Sequence, residues 1–424
     1  MSNKTKITAP KGTHDVLPSE INIWHKIERT LMEISENYGY KEIRFPTFEH
    51  TELFNRGVGD TTDVVQKEMY TFNDKGDRSI TLRPEGTAST VRSYIENGLS
   101  NLPLPAKLYY CVSCFRYERP QAGRYREFRQ FGIENFGSSS PYTDAEIISL
   151  AMKLLNSSGV KGLQLYINTI GCPDCRNKYN SLLKEFLTSN KNELCNLCND
   201  RMYKNPLRVL DCKNSSCQEI IKNAPSISEV LCDECIEHFE LLKKSLTSIG
   251  IDYKIDTGLV RGLDYYTRTV FEIKSDDEST GAQSTVCGGG RYDGLVEQLG
   301  GDKTPGIGFS IGLERLVNIV KAQNIDFAPE ATPKLFFVSI GDEAKEMAFE
   351  LTNILRSNGI PAEFDHLGRS VKAQMKYADK IKAEYTIVIG EDEIKSGSAQ
   401  LKNMSDGKVK QIYFSSIKEN ENIF

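Results

Sequence analysis

A chain of 424 residues, 39% of them hydrophobic, has the length for two or three domains with cores of their own. Its formal charge of −5 excludes the globally basic surface of many nucleic-acid binders, while leaving room for a local basic groove. No apolar run approaches transmembrane length and the opening MSNKTKITAPKG is too polar for a signal peptide, so a cytoplasmic protein without membrane contact is expected.

In chain order, residues 20–38 carry helical periodicity, with Ile23, Ile27, Leu31 and Ile34 on one face and Gly39 as the C-cap. Residues 41–50 read as a strand broken at Pro46, and 79–83 as a short strand. The latter runs through LRPEGT (82–87) into a helix over 86–97. A carboxylate (Glu85) and a hydroxyl (Thr87) at that junction can accept bonds from an ammonium group. Thr87 also suits helix capping.

Residues 109–118 and 124–136 flank a Pro/Gln/Ala/Gly break and predict an antiparallel hairpin. Successive strand side chains alternate between faces. Arg116 and Glu118 therefore share one face of the first strand; Arg124, Arg126, Phe128, Gln130 and Glu134 share one face of the second. Charged alternation alone fits a solvated face. Arginines mixed with carboxylates, an amide and one aromatic ring also suit a ligand bearing phosphate and amino-acid groups. From Gln130 to Glu134 the strand spans roughly 13 Å, enough to read both ends of a small ligand. A helix over 144–156 and a strand over 162–169 follow.

Eight cysteines then fall within 64 residues, as Cys172–Cys175, Cys195–Cys198, Cys212–Cys217 and Cys232–Cys235. Disulfides are not expected in a reducing compartment. The spacing suits structural zinc, and eight thiolates suffice for two four-cysteine sites. Residues 172–248 are helical in pattern and interrupt a strand-rich series, as an insertion does.

Strands resume at 253–256, 269–274 and 285–287. Between the first two lies LVRGLDYYT (259–267), where Arg261 can stabilise charge on a phosphate and Tyr265 and Tyr266 supply rings and hydroxyls. CGGGRYDG (287–294) reads as a glycine-rich turn before a helix over 294–299. It lacks the context of a dinucleotide fold, and no GxxxxGK[ST] loop occurs. GIGFSIGLERL (306–316) is a strand feeding a helix over 313–321. Arg315 sits in that helix's first turn, where a cation is unfavourable and an anionic partner is implied. An acidic cluster at 276–278 reads as a solvated loop. Past a linker at 328–333, the order strand (334–340), helix (343–358), strand (361–365), helix (370–381), strand (385–389) reads as a small α/β domain with a largely parallel sheet. His25, His50, His238 and His366 read as structural or surface residues.

Taken together, these segments resemble the histidyl-tRNA synthetases, class II aminoacyl-tRNA synthetases, over nearly the whole chain. KGTHDVLP (11–18) is similar to the N-terminal signature, 40–46 to part of the dimer-forming first motif, 115–136 to the second motif and 306–316 to the third. RGLDYY and GGGRYDG resemble the two histidine-specific segments. The resemblance implies an α+β fold: an antiparallel catalytic sheet with flanking helices (1–171 and 249–327), a Cys-rich helical insertion (172–248) and a C-terminal α/β anticodon-binding domain (331–424). It implies a homodimer that activates L-histidine with ATP and Mg2+ and transfers it to the 3′ end of tRNA(His).

By resemblance, Glu85, Gly86 and Thr87 bind the ammonium end of histidine, Arg116 and Gln130 orient its carboxylate, and Glu134, Tyr265 and Tyr266 surround the imidazole. Arg261 also belongs to the histidine site and stabilises the α-phosphate, taking over work that magnesium does elsewhere in the class; with Arg116 and Gln130 it makes the catalytic set. Arg116, Glu118, Arg124, Phe128 and Arg315 hold ATP, with Phe128 against adenine. Gln121 and Arg126 meet the tRNA acceptor end. Zinc is no general feature of the family's insertion, so that expectation rests on cysteine spacing alone. A rival is the histidine-binding regulatory paralogue of ATP phosphoribosyltransferase, expected to lack the C-terminal domain and an intact RGLDYY. A non-catalytic tRNA-binding module would lose the ATP arginines. This chain keeps Arg116, Arg124, Arg315, RGLDYY and the C-terminal domain.

Overall fold

Alternation along the hairpin decides the architecture of the larger part of the chain. Phe131 and Ile133 point into an apolar core; Gln130, Gly132 and Glu134, between and beside them, point to the opposite face. In the computed structural model, which describes residues 6–60, 62–121, 123–276, 284–325 and 332–424, the hairpin strands Ala106–Phe115 and Glu127–Phe136 lie inside an eight-stranded sheet. The next strands across are Gly306–Gly312, Thr285–Arg291, Thr267–Ser275 and Leu163–Thr169, each antiparallel to the one before it. Short strands Lys41–Glu42 and Tyr253–Ile255 close the two edges in parallel. Phe131, Ile133, Ile167, Phe271 and Phe309 form the core on one side, packed under helices Pro18–Asn37, Pro141–Ser157 and Leu313–Ala322.

The first helix buries Trp24, Ile27, Leu31 and Ser35, so its core stripe is turned slightly from the expected one, leaving Ile23 and Ile34 half-buried. Helix Thr51–Val58 was not legible in the sequence; it packs Leu53, Phe54 and Val58 beside a small sheet of Phe48–His50, Ser79–Leu82 and Tyr70–Asn73. That sheet delivers Glu85 to the start of helix Thr87–Glu96.

Three expectations need correction. The hairpin strands end at Phe115 and begin at Glu127, so Arg116, Glu118, Arg124 and Arg126 lie on the connecting loop rather than on strand faces. Glycines 288–290 of CGGGRYDG are strand, not turn: Thr285–Arg291 runs through them, because Gly289 must pass against the Phe309 backbone, 2.8 Å from where a Cβ would sit. The C-terminal sheet is mixed, as described below.

The insertion folds as helices Pro173–Ser189, Asn196–Lys204, Ser215–Ile221 and Asp233–Ser248; the first three share a core that includes Leu183, Leu187, Met202 and Ile220, while the last packs Leu242 and Leu246 into the core of the large sheet. Its last helix is rooted in the sheet by a buried network. His238 Nε2 lies 2.8 Å from Asp144 Oδ2, Thr269 Oγ1 donates to the same oxygen at 2.6 Å, and Arg291 Nε donates to Asp144 Oδ1 at 3.1 Å. His238 is thus structural, as read; His25, His50 and His366 are exposed.

The chain divides into two units, Met1–Phe327 and Ala328–Phe424. Residues 328–331 of the expected linker and 277–278 of the acidic cluster lie outside the described residues. In the second unit, Ala362–Phe364, Leu335–Ser339 and Tyr385–Ile389 pair in parallel, but the hairpin Ser398–Asn403/Val409–Tyr413 adds two antiparallel pairings. Helix Asp342–Ser357 covers one face through Leu351 and Leu355; Val371–Lys380 covers the other through Ala378. Among the described residues no helix is long and apolar enough to cross a membrane.

Candidate active site

Antiparallel register lines up the polar face of the sheet. Gln130 stands beside Gly312, and Glu134 beside Gly308. A Cβ at 308 would lie 2.9 Å from Glu134 Cδ, so glycine there makes room for the carboxylate. Tyr110 lies between Gly86 and Gly132: a Cβ at 86 would approach its hydroxyl to 2.7 Å, and one at 132 its ring carbon Cε2 to 2.6 Å.

Around Glu134 the residues expected at the histidine site, Arg116 and Arg261 excepted, form one buried cluster. Thr87 Oγ1 donates to Glu134 Oε1 at 2.7 Å and Tyr110 Oη to the same atom at 3.3 Å, while the Tyr292 hydroxyl bonds Oε2. Burial nevertheless dominates and pushes the Glu134 carboxyl up to about 8. Tyr265 and Tyr266, their ring centroids 4.8 Å apart, are buried beside it, and Tyr265 meets Tyr292 edge-on at 5.7 Å. Glu85, also buried, accepts the backbone N–H of Thr87 at 2.7 Å and of Ala88 at 2.8 Å. The capping expected of Thr87 is therefore done by Glu85, which leaves the threonine hydroxyl to Glu134. Gln130 Oε1 accepts the Gly86 N–H at 2.8 Å, tying the hairpin to the helix start.

A cavity of about 420 Å3 opens at the other end of the hairpin, with Arg116, Glu118, Arg124, Phe128, Arg261 and Arg315 in its wall. The Arg116 guanidinium stands 5.4 Å over the Phe128 ring, and its Nε donates to Pro84 O at 2.8 Å, next to Glu85. Glu118 holds Arg124 at 2.9 Å. Burial and the charge of Arg124 both lower the pKa of Arg315, a strain on like charges that an anion between them relieves. Desolvation disfavours the charge of the half-buried Arg261, but the Glu272 carboxylate paired to Nη1 and Tyr266 beside it together outweigh that and raise its pKa. Glycine at 288 admits the guanidinium, since a Cβ would lie 2.5 Å from Arg261 Cζ.

Two loop residues sit apart from this cavity wall. Gln121 is exposed and bridges to Arg124. Arg126 stacks 3.8 Å over Tyr117 and its N–H donates to Gly12 O at 2.7 Å, so the loop is pinned by the N-terminal segment. Sequence reasoning missed Tyr110, Tyr292, Glu272 and Glu314. Tyr292 lay within the quoted GGGRYDG. Glu272 alternates with Lys274 on a strand and could have been paired with Arg261 only through the fold. Glu314 accepts the Arg129 N–H at 2.8 Å and is lifted to about 7 by burial.

The eight insertion cysteines gather as two sets: Cys172, Cys175, Cys232 and Cys235, and Cys195, Cys198, Cys212 and Cys217. Within each set all sulfurs lie within 4.8 Å of one another.

An antiparallel sheet with an arginine-walled cavity at one end of a hairpin and a sealed carboxylate–phenol cluster at the other is the architecture of a class II aminoacyl-tRNA synthetase. Residues 12–316 match the histidyl-tRNA synthetase family and 334–420 the anticodon binding domain. A histidine–tRNA ligase of Acetivibrio thermocellus is 58% identical over 404 residues, 95% of this chain and 96% of that relative. One of Caldanaerobacter subterraneus subsp. tengcongensis is 54% identical over 97% of this chain and 98% of its own. The apo histidyl-tRNA synthetase of S. aureus superposes with a TM-score of 0.84 at 42% identity, over 98% of this chain and 99% of that one. The chain belongs to the histidyl-tRNA synthetase family.

Proposed function

We propose that the cavity and the buried cluster take ATP and L-histidine side by side and join them. The chain is a histidine–tRNA ligase. The histidine carboxylate attacks the α-phosphorus of ATP, a P–O bond forms, and the bond to pyrophosphate breaks. The ribose hydroxyl at the 3′ end of tRNA(His) then attacks the acyl carbon, and AMP leaves. The observation that carries the reading is the convergence of Arg116, Arg124, Arg261 and Arg315 on one cavity that adjoins, through Arg116 and Pro84, the Glu85–Gln130–Glu134 cluster.

In this reading Glu85 and Thr87 receive the α-ammonium, with Gly86 letting it approach the helix start. Arg116 and Gln130 align the carboxylate; Gln130, its Oε1 on the Gly86 N–H, turns its amide donors to the substrate. Glu134 accepts from the imidazole N–H between the faces of Tyr265 and Tyr266. A donor seated there favours the ionised carboxylate, and a side chain without one leaves a buried polar cluster unmatched, which is the basis of selectivity. ATP enters with Mg2+. Arg124 and Arg315 take the terminal phosphate, Phe128 stacks on adenine, and Glu118 keeps Arg124 in place. Arg261, held by Glu272, meets the charge that grows on the α-phosphate. Catalysis is positioning plus fixed charge.

Residues 1–171 and 249–327 form the catalytic domain, 172–248 an insertion holding structural zinc on its cysteines, and 331–424 the anticodon-binding domain. Gln121 and Arg126 meet the tRNA acceptor end. The enzyme works as a cytoplasmic homodimer. The regulatory-paralogue reading is not favoured, because the C-terminal domain and the full set of ATP arginines are retained. Histidine-dependent ATP–pyrophosphate exchange tests the assignment: purified protein should exchange label only when histidine is present, and exchange no faster than the histidine-free control would refute it.

A further inference from the structure

The geometry points to two tetrathiolate zinc sites nested in the chain, an outer one of Cys172, Cys175, Cys232 and Cys235 and an inner one of Cys195, Cys198, Cys212 and Cys217, with the inner ion fixing Lys213 as a nucleotide contact supplied by the insertion. This rests on reading the cysteines as zinc ligands and adds how they are shared and what one site holds in place.

The donor sets fit the metal. Zinc–thiolate bonds of about 2.3 Å in a tetrahedron put sulfurs about 3.8 Å apart. Cys172 and Cys175 sulfurs are 3.5 Å apart, and those of Cys195 and Cys212 are 3.9 Å apart. Pairs distant in sequence meet: Cys232 N–H donates to Cys175 Sγ at 3.1 Å and Cys172 N–H to Cys235 Sγ at 3.3 Å. The inner set repeats this, Cys195 N–H donating to Cys217 Sγ at 3.2 Å. Such N–H···S bonds orient thiolates and offset their charge, as outer-shell partners of a metal do. Cys172, Cys195 and Cys232 each occupy the N-cap of a helix, and Cys175, Cys198 and Cys235 follow in its first turn, so two of these helix N-termini meet at the outer sulfur cluster and one at the inner.

The inner site is also docked on the catalytic sheet side. Helix Asn196–Lys204, which begins at Cys195, carries Arg201 to Asp63 at 2.7 Å, and Asn205 just beyond it bonds Asp264 at 2.8 Å. Asp211 and Lys213 flank Cys212 and stand in the wall of the same cavity as Arg116, Arg124 and Arg315. Lys213 Nζ is paired to Asp211 at 2.7 Å, and the segment is pinned through Cys212 Sγ, which accepts the Asn214 N–H at 3.5 Å. A metal on Cys212 therefore fixes a lysine at the mouth of the phosphate site.

The test uses the full-length protein. Elemental analysis should find two zinc per chain, and cobalt exchanged for zinc should give the charge-transfer bands of a tetrathiolate. C195S/C198S/C212S/C217S should retain one equivalent with an intact tetrathiolate spectrum, as should C172S/C175S/C232S/C235S. Should either variant fail to fold, stepwise chelation of the unaltered protein with peptide-mapped alkylation gives the same answer: cysteines should become reactive in those two sets of four. Sets drawn in chain order, or a quadruple variant that folds but loses the tetrathiolate spectrum, would overturn the nested sharing while leaving zinc binding intact. No zinc in the unaltered protein, with histidine-dependent exchange present, would remove the metal reading and this inference together. Lys213→Ala should keep both zinc ions and raise the KM for ATP several-fold with little change in that for histidine. An unchanged KM for ATP would overturn the nucleotide contact.

Discussion

Replacing Gly288 by alanine tests Arg261 without touching it. Gly288 lies mid-strand and is not among the positive-φ glycines, so alanine is compatible with the backbone. Its Cβ would fall 2.5 Å from the Cζ of Arg261, against ordinary contact at 3.4 Å. The guanidinium must therefore retreat by about 1 Å, enough to cost on the order of 100-fold when the displaced charge serves the transition state. That is about 2.7 kcal/mol of activation free energy. Because the clashing atoms end a flexible side chain, the strand itself keeps its place. Single-turnover formation of histidyl-adenylate should slow about 100-fold. Histidine affinity, measured by calorimetry, should change little, and the melting temperature should hold. Arg261→Gln should lose on the order of 100- to 1,000-fold. The G288A/R261Q double variant should be no slower than R261Q, since both changes act through one group. Folded G288A protein that activates histidine at the wild-type rate would refute the role given to Arg261.

Burial lifts Glu134 from 4.5 to about 8, so the folded protein holds a proton that the unfolded chain releases; the stability this contributes is full below 4.5 and is lost as pH rises through 8. Thermal melts of the ligand-free protein should show wild type losing ground to Glu134→Gln between pH 5 and 8.5, and parallel curves would contradict the burial argument. Tyr292→Phe removes a hydroxyl partner of Glu134 and should weaken histidine binding about tenfold in equilibrium titration. Arg315→Ala should raise the KM for ATP by roughly 10- to 100-fold, as expected for a lost charged hydrogen bond, and spare that for histidine. Asp144→Ala removes the fully buried carboxylate shared by Arg291, His238 and Thr269, leaves Arg291 only the partly exposed Asp293, and should destabilise the larger unit by about 3 kcal/mol, seen as a lower melting temperature.

The reading from sequence went furthest where chemistry is local. Alternation placed Gln130 and Glu134 on one strand face, and the structure has them there. It failed just past the strand ends, where Arg116 and Arg124 are brought together by Glu118 and the loop rather than by a pleat. The glycines at 288–290 looked like a turn because nothing in a sequence distinguishes a glycine that bends from one that yields space. Here the space is claimed by Arg261 and by the backbone at Phe309, residues 27 and 20 positions away. Tyr110 and Tyr292 were invisible as partners of Glu134 because strand order, not sequence distance, makes them neighbours. In the second unit the Ser398–Tyr413 hairpin escaped notice: its lysines interrupt the apolar pattern, and only Ala399, Leu401 and Ile412 reach the core.

The glycines around Tyr110 and Glu134 bear on inhibition. In the proposed reading, a compound that displaced histidine would lean on a wall whose smallest positions, 86, 132 and 308, each face an atom that a methyl group would strike. Side chains at those positions could not narrow the pocket without moving the Tyr110 ring or the Glu134 carboxylate. Space for change lies at the rim, near Gln121 and Lys213, where side chains are exposed. A molecule that keeps its binding energy deep, against Glu134 and Tyr292, would leave drug resistance few routes that the enzyme could survive.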